Sequence, residues 1–345
     1  MFGRSAQRSG FTGSRLLILL IVGLLLVGVG LTACKKQTTG KQGQLKKIIV
    51  SYPSVADNGD VPSLLAWELM RAQGYEVVPK FFAKTELGVE AVLRGDAHIG
   101  NTGGQTLYAA IVQGAPMKAF VLQHRNNWVL AGRGATKTLE ALDGKKLAHH
   151  SPGAQATAMT NIVFAQKAPN IKPQVLLIQG SENRADAMLR GEIDATPLEF
   201  GDIVRISMAK PGEFNVLVSF ADDLPWLQAV PFFARTDYLK SNAKDVKAVI
   251  KAILEVHRRM AVDPEYYVEQ APKFLPGAEE DVLKALHELD RKYELYPVNG
   301  GLEPEGQAKT TEFFVNGKQL PEGTKPDQLF DRSLLDEVLK EIGTK

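Results

Sequence analysis

Two nearly identical phrases, AVLRGDAHI at residues 91–99 and AMLRGEIDA at residues 187–195, constrain the fold of this chain most. Each ends a stretch with helical apolar spacing, places a glycine directly after an arginine, and continues with an acid and an apolar run. A glycine just past the last helical turn can take the left-handed conformation that closes a helix, so both phrases predict a helix, a stop and a strand. Such joints are common, and the repeat can arise by coincidence. Our preferred interpretation is two halves of similar build.

Length and charge agree with two globular halves. At roughly 150 residues per domain, 345 residues suggest two domains. Apolar residues make up 44% of the chain, and Lys plus Arg number 41 against 39 for Asp plus Glu, which argues against disorder and against a nucleic-acid partner. A single cysteine excludes an intrachain disulfide.

Strand and helix patterns alternate from residue 47 and restart beyond Gly134, which predicts mostly parallel sheets covered on both faces. We predict lobe one from residues 47–134 plus 229–345 and lobe two from residues 135–228. The chain then crosses twice between the lobes, and these crossings form a hinge beside a cleft. Helical spacing also predicts helices near residues 244–262, 279–295 and 332–342.

The amino-terminal segment predicts an export signal. Arg4, Arg8 and Arg15 precede the apolar run LLILLIVGLLLVGVG at residues 16–30. About 18 apolar residues can also span a bilayer, so a permanent anchor is the alternative. The run is followed by LTAC, which resembles a bacterial lipobox and ends at Cys34, the only cysteine of the chain. This resemblance implies cleavage after residue 33 and lipidation of Cys34.

Residues 34–46 are polar and contain glycine, as in a flexible tether. A lipid on Cys34 and this tether predict a body held at the extracytoplasmic face of the cell membrane.

Several phrases resemble the substrate-binding proteins of ABC importers for sulfonates, taurine, nitrate and thiamine-type pyrimidines. They are the stretch GVEAVLRGDAHIGNTGGQTLYAAIVQGAPMKAF, the stretch LEALDGKKLAHHSPGAQA and the stretch ADAMLRGEIDA. The resemblance implies a periplasmic-binding-protein fold of type II, a membrane permease and a cytoplasmic ATPase. It also implies a monomeric binding protein without cofactor or metal.

Ligands of open α/β sheets bind beyond the carboxyl ends of strands, which selects five turns as candidate cleft segments. They are residues 52–60, 101–105, 126–128, 149–155 and 198–202. Helix starts in such turns present backbone N–H groups, and glycine lets a ligand approach the main chain. The candidate ligand-binding residues are Tyr52, Asn58, Asp60, Thr102, Gly103, Gly104, Gln105, Asn127, Trp128, His150, Ser151, Gln155, Glu199 and Trp226.

Charge and aromatic character indicate the ligand class. Asp60 and Glu199 fall at cleft positions, and the five segments contain no Lys or Arg, so an anion is disfavoured and N–H donors are favoured. Asp60 has an alternative role as the side-chain N-cap of the helix that begins at Val61. Tyr52, Trp128 and Trp226, together with Phe200, can sandwich a planar ring or belong to the core.

These features favour a planar nitrogen heterocycle of vitamin type, such as a thiamine pyrimidine precursor or riboflavin. The alternative ligands are an aliphatic sulfonate, taurine or nitrate.

Two other functional classes share this fold. Enzymes that build the thiamine pyrimidine carry a cysteine-rich iron motif, which this chain lacks. His149 and His150 point to opposite sides of a strand and make a poor metal pair. We therefore expect no enzyme. A sensor subunit without a permease stays open as an alternative.

Overall fold

The protein is described by a computed structural model that covers residues 45–345. Ten strands form two five-stranded sheets. In chain order the strands are β1 (Lys46–Pro53), β2 (Tyr75–Phe82), β3 (Ile99–Asn101), β4 (Met117–His124), β5 (Trp128–Arg133), β6 (Lys146–His149), β7 (Gln174–Leu177), β8 (Ala195–Glu199), β9 (Phe214–Ser219) and β10 (Val230–Arg235).

Helices cover the sheets and form most of the carboxy-terminal region. They are α1 (Val61–Ala72), α2 (Thr85–Arg94), α3 (Gly104–Val112), α4 (Gln155–Lys167), α5 (Ser181–Arg190), α6 (Phe200–Ala209), α7 (Phe220–Asp223), α8 (Thr236–Ser241), α9 (Ala243–Val262), α10 (Pro264–Gln270), α11 (Glu280–Lys292), α12 (Pro304–Asn316), α13 (Pro326–Leu329) and α14 (Ser333–Ile342), with short 3₁₀ turns at Glu140–Leu142 and Ala271–Lys273. The three carboxy-terminal helices expected from the sequence correspond to α9, α11 and α14.

Both sheets have the same topology. The strand order is β2-β1-β3-β10-β4 in the first sheet and β7-β6-β8-β5-β9 in the second. In each sheet four strands run in one direction and a single strand, β10 or β5, runs antiparallel between two of them, so the sheets are mixed but mostly parallel, as expected. We call the first sheet with its helices lobe one and the second lobe two. The predicted two-lobed α/β architecture is confirmed.

The repeated phrases occupy equivalent positions in the two lobes. Gly95 ends α2 with φ of 85°, and Gly191 ends α5 with φ of 79°, both in the left-handed region. The residue after each glycine donates its backbone N–H to the carbonyl of Ala91 or of Ala187, which closes the helix. Strands β3 and β8 follow directly. The repeat is therefore structural, because the same helix end feeds the same central strand twice.

The chain crosses between the sheets after β4 and again after β9. Strand β5 pairs with β8 and β9 in the second sheet, so the first crossing lies between His124 and Trp128 rather than after Gly134. The sequence pattern missed β5 because the phrase NNWVLAGR carries no alternation of polar and apolar residues. The exact limits of the lobes stay a prediction.

The carboxy-terminal region packs against lobe two at the end of α11, because the ring centre of Tyr293, just after this helix, lies 5.1 Å from the ring centre of Phe200 on α6. None of the helices within residues 45–345 is long and apolar enough to cross a membrane. The predicted signal peptide, most of the predicted tether and Cys34, the predicted site of lipidation, fall outside the described residues.

Candidate ligand site between the lobes

A cavity of about 80 Å³ lies between the two lobes, where the carboxyl ends of strands from both sheets meet. Lobe one contributes the turn after β1, the end of β3 and the turn before α3. Lobe two contributes the turns after β6 and β7 and the end of β8. The strand-end rule applied to the sequence therefore selected turns that the fold brings together.

Six of the candidate residues line this cavity, and they come from both lobes: Asp60, Gly103, Trp128, His150, Gln155 and Glu199. Four more lie just behind it. Ser151 and Gln105 take part in contacts between the lobes, whereas Thr102 and Gly104 are buried beside the start of α3.

Asn58 and Asn127 face a larger neighbouring cavity instead. The backbone carbonyl of Asn58 accepts hydrogen bonds from the hydroxyl groups of Tyr267 and Tyr296, each at 3.3 Å. Asn127 Nδ2 donates to Glu199 Oε2 at 3.2 Å and so orients the carboxylate of a cavity residue.

The expected aromatic sandwich is largely absent from this arrangement. Tyr52 is fully buried in lobe one, where Trp67 Nε1 donates to its hydroxyl at 2.8 Å. Phe200 is buried against Tyr293, and Trp226 packs edge-on against Phe313 at 5.9 Å, outside the cavity. Trp128 alone of these four rings lines the cavity.

Several cavity residues were not singled out from the sequence. Three of them, Ser54, Asp57 and Asn101, lie within the candidate cleft segments 52–60 and 101–105. The segments were therefore selected, but these residues within them were not. Ser181 and Glu182 follow β7 at the start of α5, and the strand-end rule applied to that turn identifies them. His124 ends β4 and gives no comparable signal.

Carboxylates form one pole of the cavity. Asp60 is buried and accepts from Gln123 Nε2 at 3.0 Å, so its side chain does not cap α1 although it occupies the N-cap position. Burial raises the pKa of Asp60 to about 7. Burial, followed by the charge of Asp202, raises the pKa of Glu199 to about 8. Burial, reinforced by the charges of Glu199 and Asp60, holds the pKa of Asp57 well above its ordinary value.

Hydrogen-bond donors form the opposite pole. The backbone N–H of Gly180 donates to His150 Nδ1 at 3.0 Å, so Nδ1 is the acceptor and Nε2 carries the hydrogen of the neutral ring. Burial lowers the pKa of His150 to about 4, so the ring is neutral near pH 7. Gln155 Oε1 accepts from the backbone N–H of Gln105 at 3.3 Å, which leaves Nε2 as a donor.

None of three buried nitrogens at this pole, His150 Nε2, Gln155 Nε2 and Asn101 Nδ2, has a hydrogen-bond partner within residues 45–345. Unpaired buried donors are costly, so this pole favours a ligand group that accepts hydrogen bonds.

The lobes touch directly around the cavity. Ser151 Oγ in lobe two lies 2.9 Å from Glu86 Oε1 in lobe one, and Thr106 Oγ1 donates to the Gly153 carbonyl at 2.8 Å. On the other side, Ser54 Oγ donates to Glu182 Oε1 at 3.4 Å. These contacts define a closed form of the two lobes.

Within the described part of the chain, no group of three or more His, Cys, Asp or Glu side chains is placed to hold a metal ion. His149 and His150 follow one another at the end of β6, and His150 alone lines the cavity.

Comparison with protein families now identifies the chain. Residues 71–266 match the family described as NMT1/THI5 like, which is more than half of the chain, and the protein belongs to this family. A search of curated proteins finds no match.

Solved structures share the fold across nearly their whole length. The ligand-binding component of an ABC-type import system from Staphylococcus aureus, with zinc bound, has a TM-score of 0.69 at 15% identity, covering 85% of this chain and 99% of that one. The periplasmic aliphatic sulphonate binding protein SsuA from Escherichia coli has a TM-score of 0.62 at 18% identity, covering 84% and 99%. The periplasmic nitrate-binding protein NrtA from Synechocystis PCC 6803 has a TM-score of 0.64 at 12% identity, covering 87% and 90%. The fold is thus the type II fold of periplasmic binding proteins.

The raised pKa values of Asp60 and Glu199 predict that the protein without ligand becomes more stable as the pH falls from 9 to 6.5. In this window the folded chain takes up protons that the unfolded chain, with ordinary carboxyl pKa values near 4, does not bind, and each proton is worth about 1.4 kcal/mol per pH unit. Buried histidines reverse the trend only below their unfolded pKa of about 6.5. In the variant Asp60→Asn/Glu199→Gln the thermal midpoint of unfolding should depend less on pH. A thermal midpoint of the unaltered protein that rises towards pH 9 contradicts the assignment.

Close packing of glycine predicts that Gly103→Ala opens the lobes. A Cβ atom at Gly103 in lobe one would lie 2.9 Å from Gln155 Cβ in lobe two, so closure must loosen. We expect the radius of gyration from X-ray scattering to increase. Gly88→Ala is the matched control, because a Cβ at this buried position in lobe one meets its nearest atom at an ordinary 3.6 Å. Identical scattering from the two variants would refute the closed arrangement.

Proposed function

We propose that this protein is the extracytoplasmic solute-binding subunit of an ABC importer. Membership of the NMT1/THI5-like family and the two-lobed fold support this role. The cavity also suits it, because side chains from both lobes line one space and a ligand there bridges them. Such a ligand shifts the lobes towards the closed form, which then docks on the membrane permease and its cytoplasmic ATPase.

The proposed ligand is a planar nitrogen heterocycle of vitamin type. The observation that carries this proposal is the pairing of Asp60 from lobe one with Glu199 from lobe two beside the ring of Trp128. Carboxylates accept hydrogen bonds from amino or ring N–H groups, and the indole ring offers a flat apolar surface. The donors His150 and Gln155 suit a ring nitrogen or a hydroxyl oxygen at the other end of the ligand.

The size of the cavity supports the smaller of the two vitamin ligands expected from the sequence. A space of about 80 Å³ favours a single substituted ring. Riboflavin has three fused rings and a polyol chain, which need a much larger site. A thiamine pyrimidine precursor is therefore the preferred ligand.

Taurine is the second candidate, and the donor pole favours it. His150, Gln155 and Asn101 offer three N–H groups to an oxyanion, and an ammonium group on the same ligand can reach the carboxylate pole. A simple sulfonate or nitrate satisfies the donors only, and its negative charge fits the site only while Asp60 and Glu199 carry protons, because like charges at short range cost free energy.

The family also includes enzymes that make the thiamine pyrimidine, and they carry a cysteine-rich iron motif. We prefer a binding role to an enzymatic one, because this chain has a single cysteine. A sensing role differs from transport in its partner. Genes for a permease and an ATPase beside this gene favour transport, whereas a neighbouring kinase gene favours sensing.

Titration calorimetry with the full-length protein in detergent tests the ligand. We expect an aminopyrimidine precursor of thiamine to bind more tightly than taurine, nitrate or an alkanesulfonate. Glu199→Gln should weaken its binding roughly 10- to 100-fold, the range for losing a hydrogen bond to a charged group. Trp128→Ala should also weaken it, whereas Trp226→Ala should not. The site assignment fails if Glu199→Gln and Trp128→Ala together leave the affinity unchanged. If taurine binds more tightly than the aminopyrimidine, the proposed heterocyclic ligand is wrong and taurine takes its place.

We also propose that a lipid on Cys34 anchors the protein, with residues 34–46 as a tether. The change Cys34→Ser should abolish incorporation of labelled palmitate and prevent cleavage after residue 33, because no other cysteine can carry the lipid. An unaltered protein that incorporates no palmitate and keeps residues 1–33 would favour a permanent anchor formed by residues 16–30.

A further inference from the structure

A second cavity, of about 400 Å³, adjoins the cavity between the lobes and is five times larger. The two spaces share the wall residues Asp57, Glu182 and Glu199. Much of the remaining wall comes from the carboxy-terminal region, namely residues 274–279 and α11, which the family match at residues 71–266 does not include, and the rest comes mainly from residues 55–59, Asn127 and α6. The larger cavity therefore lies beside the first and has a wall of different composition.

One side of this cavity is apolar. Leu275, Leu283 and Leu286 line it, and both Leu283 and Leu286 are almost fully buried. An apolar wall favours an apolar body on whatever occupies the space, since contact removes hydrocarbon surface from water.

Two buried groups on the cavity wall are hydrogen-bond acceptors to which no described residue donates. Asp290 is 3% exposed, and neither oxygen of its carboxylate has a partner among the residues that the structure describes. Asn127 is also 3% exposed. Its Nδ2 donates to Glu199, so its Oδ1 is the free acceptor, and that atom too lacks a donor between residues 45 and 345. Both groups need N–H or O–H donors, because a buried acceptor without a donor is costly.

The wall is rich in acidic groups and poor in cations. Carboxylates of Asp57, Glu199 and Asp290 face the space. Arg205 is the single cation among the described residues that line it, and its guanidinium group already contacts Asp186 at 2.9 Å and Asp202 at 3.5 Å. Burial holds the pKa of Asp290 well above its ordinary value, which expresses the cost of its unpaired charge. A positive charge in the cavity relieves this cost.

We propose that this second cavity binds an organic cation that carries N–H donors on an apolar body, such as a protonated amine or amidine. Its donors reach the carboxylate of Asp290 and Oδ1 of Asn127, and its body lies against Leu283 and Leu286. The site does not depend on the identity of the ligand between the lobes.

Calorimetry with benzamidine tests the proposal on the full-length chain in neutral detergent at pH 7.5. Benzamide is the matched neutral probe, with nearly the same shape and without the charge. Benzamidine should bind at least tenfold more tightly than benzamide. The change Asp290→Asn should reduce benzamidine affinity at least tenfold, whereas Glu294→Gln removes a nearby acid outside this cavity and should leave it unchanged.

Two further variants separate binding from folding and from the site between the lobes. Leu275→Trp at a partly exposed wall position fills the space and should block benzamidine while Asp290 is intact. Gln155→Ala alters only the cavity between the lobes, so benzamidine should still bind. Asp290→Asn should in turn leave the ligand between the lobes bound. Equal affinity for benzamidine and benzamide, or benzamidine binding that survives both Asp290→Asn and Leu275→Trp, overturns the proposal.

Discussion

Burial of carboxylates from both lobes in one site is the constraint on which the closed structure depends. Burial raises the pKa values of Asp57 and Asp60 from lobe one and of Glu199 from lobe two, and the nearby charge of Asp60 raises the pKa values of Asp57 and Glu199 further. A unit pair of like charges at 4 Å costs roughly 4 kcal/mol at an effective dielectric constant of 20, and loss of water adds to this. Arg184 is the buried cation behind them, but its guanidinium group donates to carbonyls of Ile178, Gly180 and Pro197. Closure therefore needs protons or a donor-bearing ligand.

Contacts outside the cavity offset part of this repulsion. Glu86 with Ser151, and Thr106 with the Gly153 carbonyl, join the lobes on one side. These contacts form only when the lobes are shut, and so does the full set of ligand contacts, because the carboxylates and the donors each include side chains from both lobes. A ligand can drive closure only through this difference in affinity between the open and closed forms. The two poles thus couple binding of the ligand to closure of the lobes, the change that a transport partner can recognise.

The sequence predicted the architecture well and the site in part. The helix ends at Gly95 and Gly191 were predictable because a glycine stop depends on its immediate neighbours. Cavity residues such as Glu199 and Gln155 followed from the position of turns after strands. Prediction failed for Tyr52, whose ring turns into the core of lobe one, because alternation along a strand does not state which face is buried.

The sequence by itself determined the succession of strands and helices, the two-fold repeat and the turns from which cavity side chains come. These properties depend on apolar periodicity and turn chemistry over a few residues. Only the tertiary structure decided which of those side chains meet. Asp290 on α11 lies at the same cavity as Asp57 and Glu199 although the three are far apart in the chain, and no local pattern carries that information. Proximity across the fold is set by long-range packing, so the second compartment and the balance of charge around it emerge only from the folded molecule.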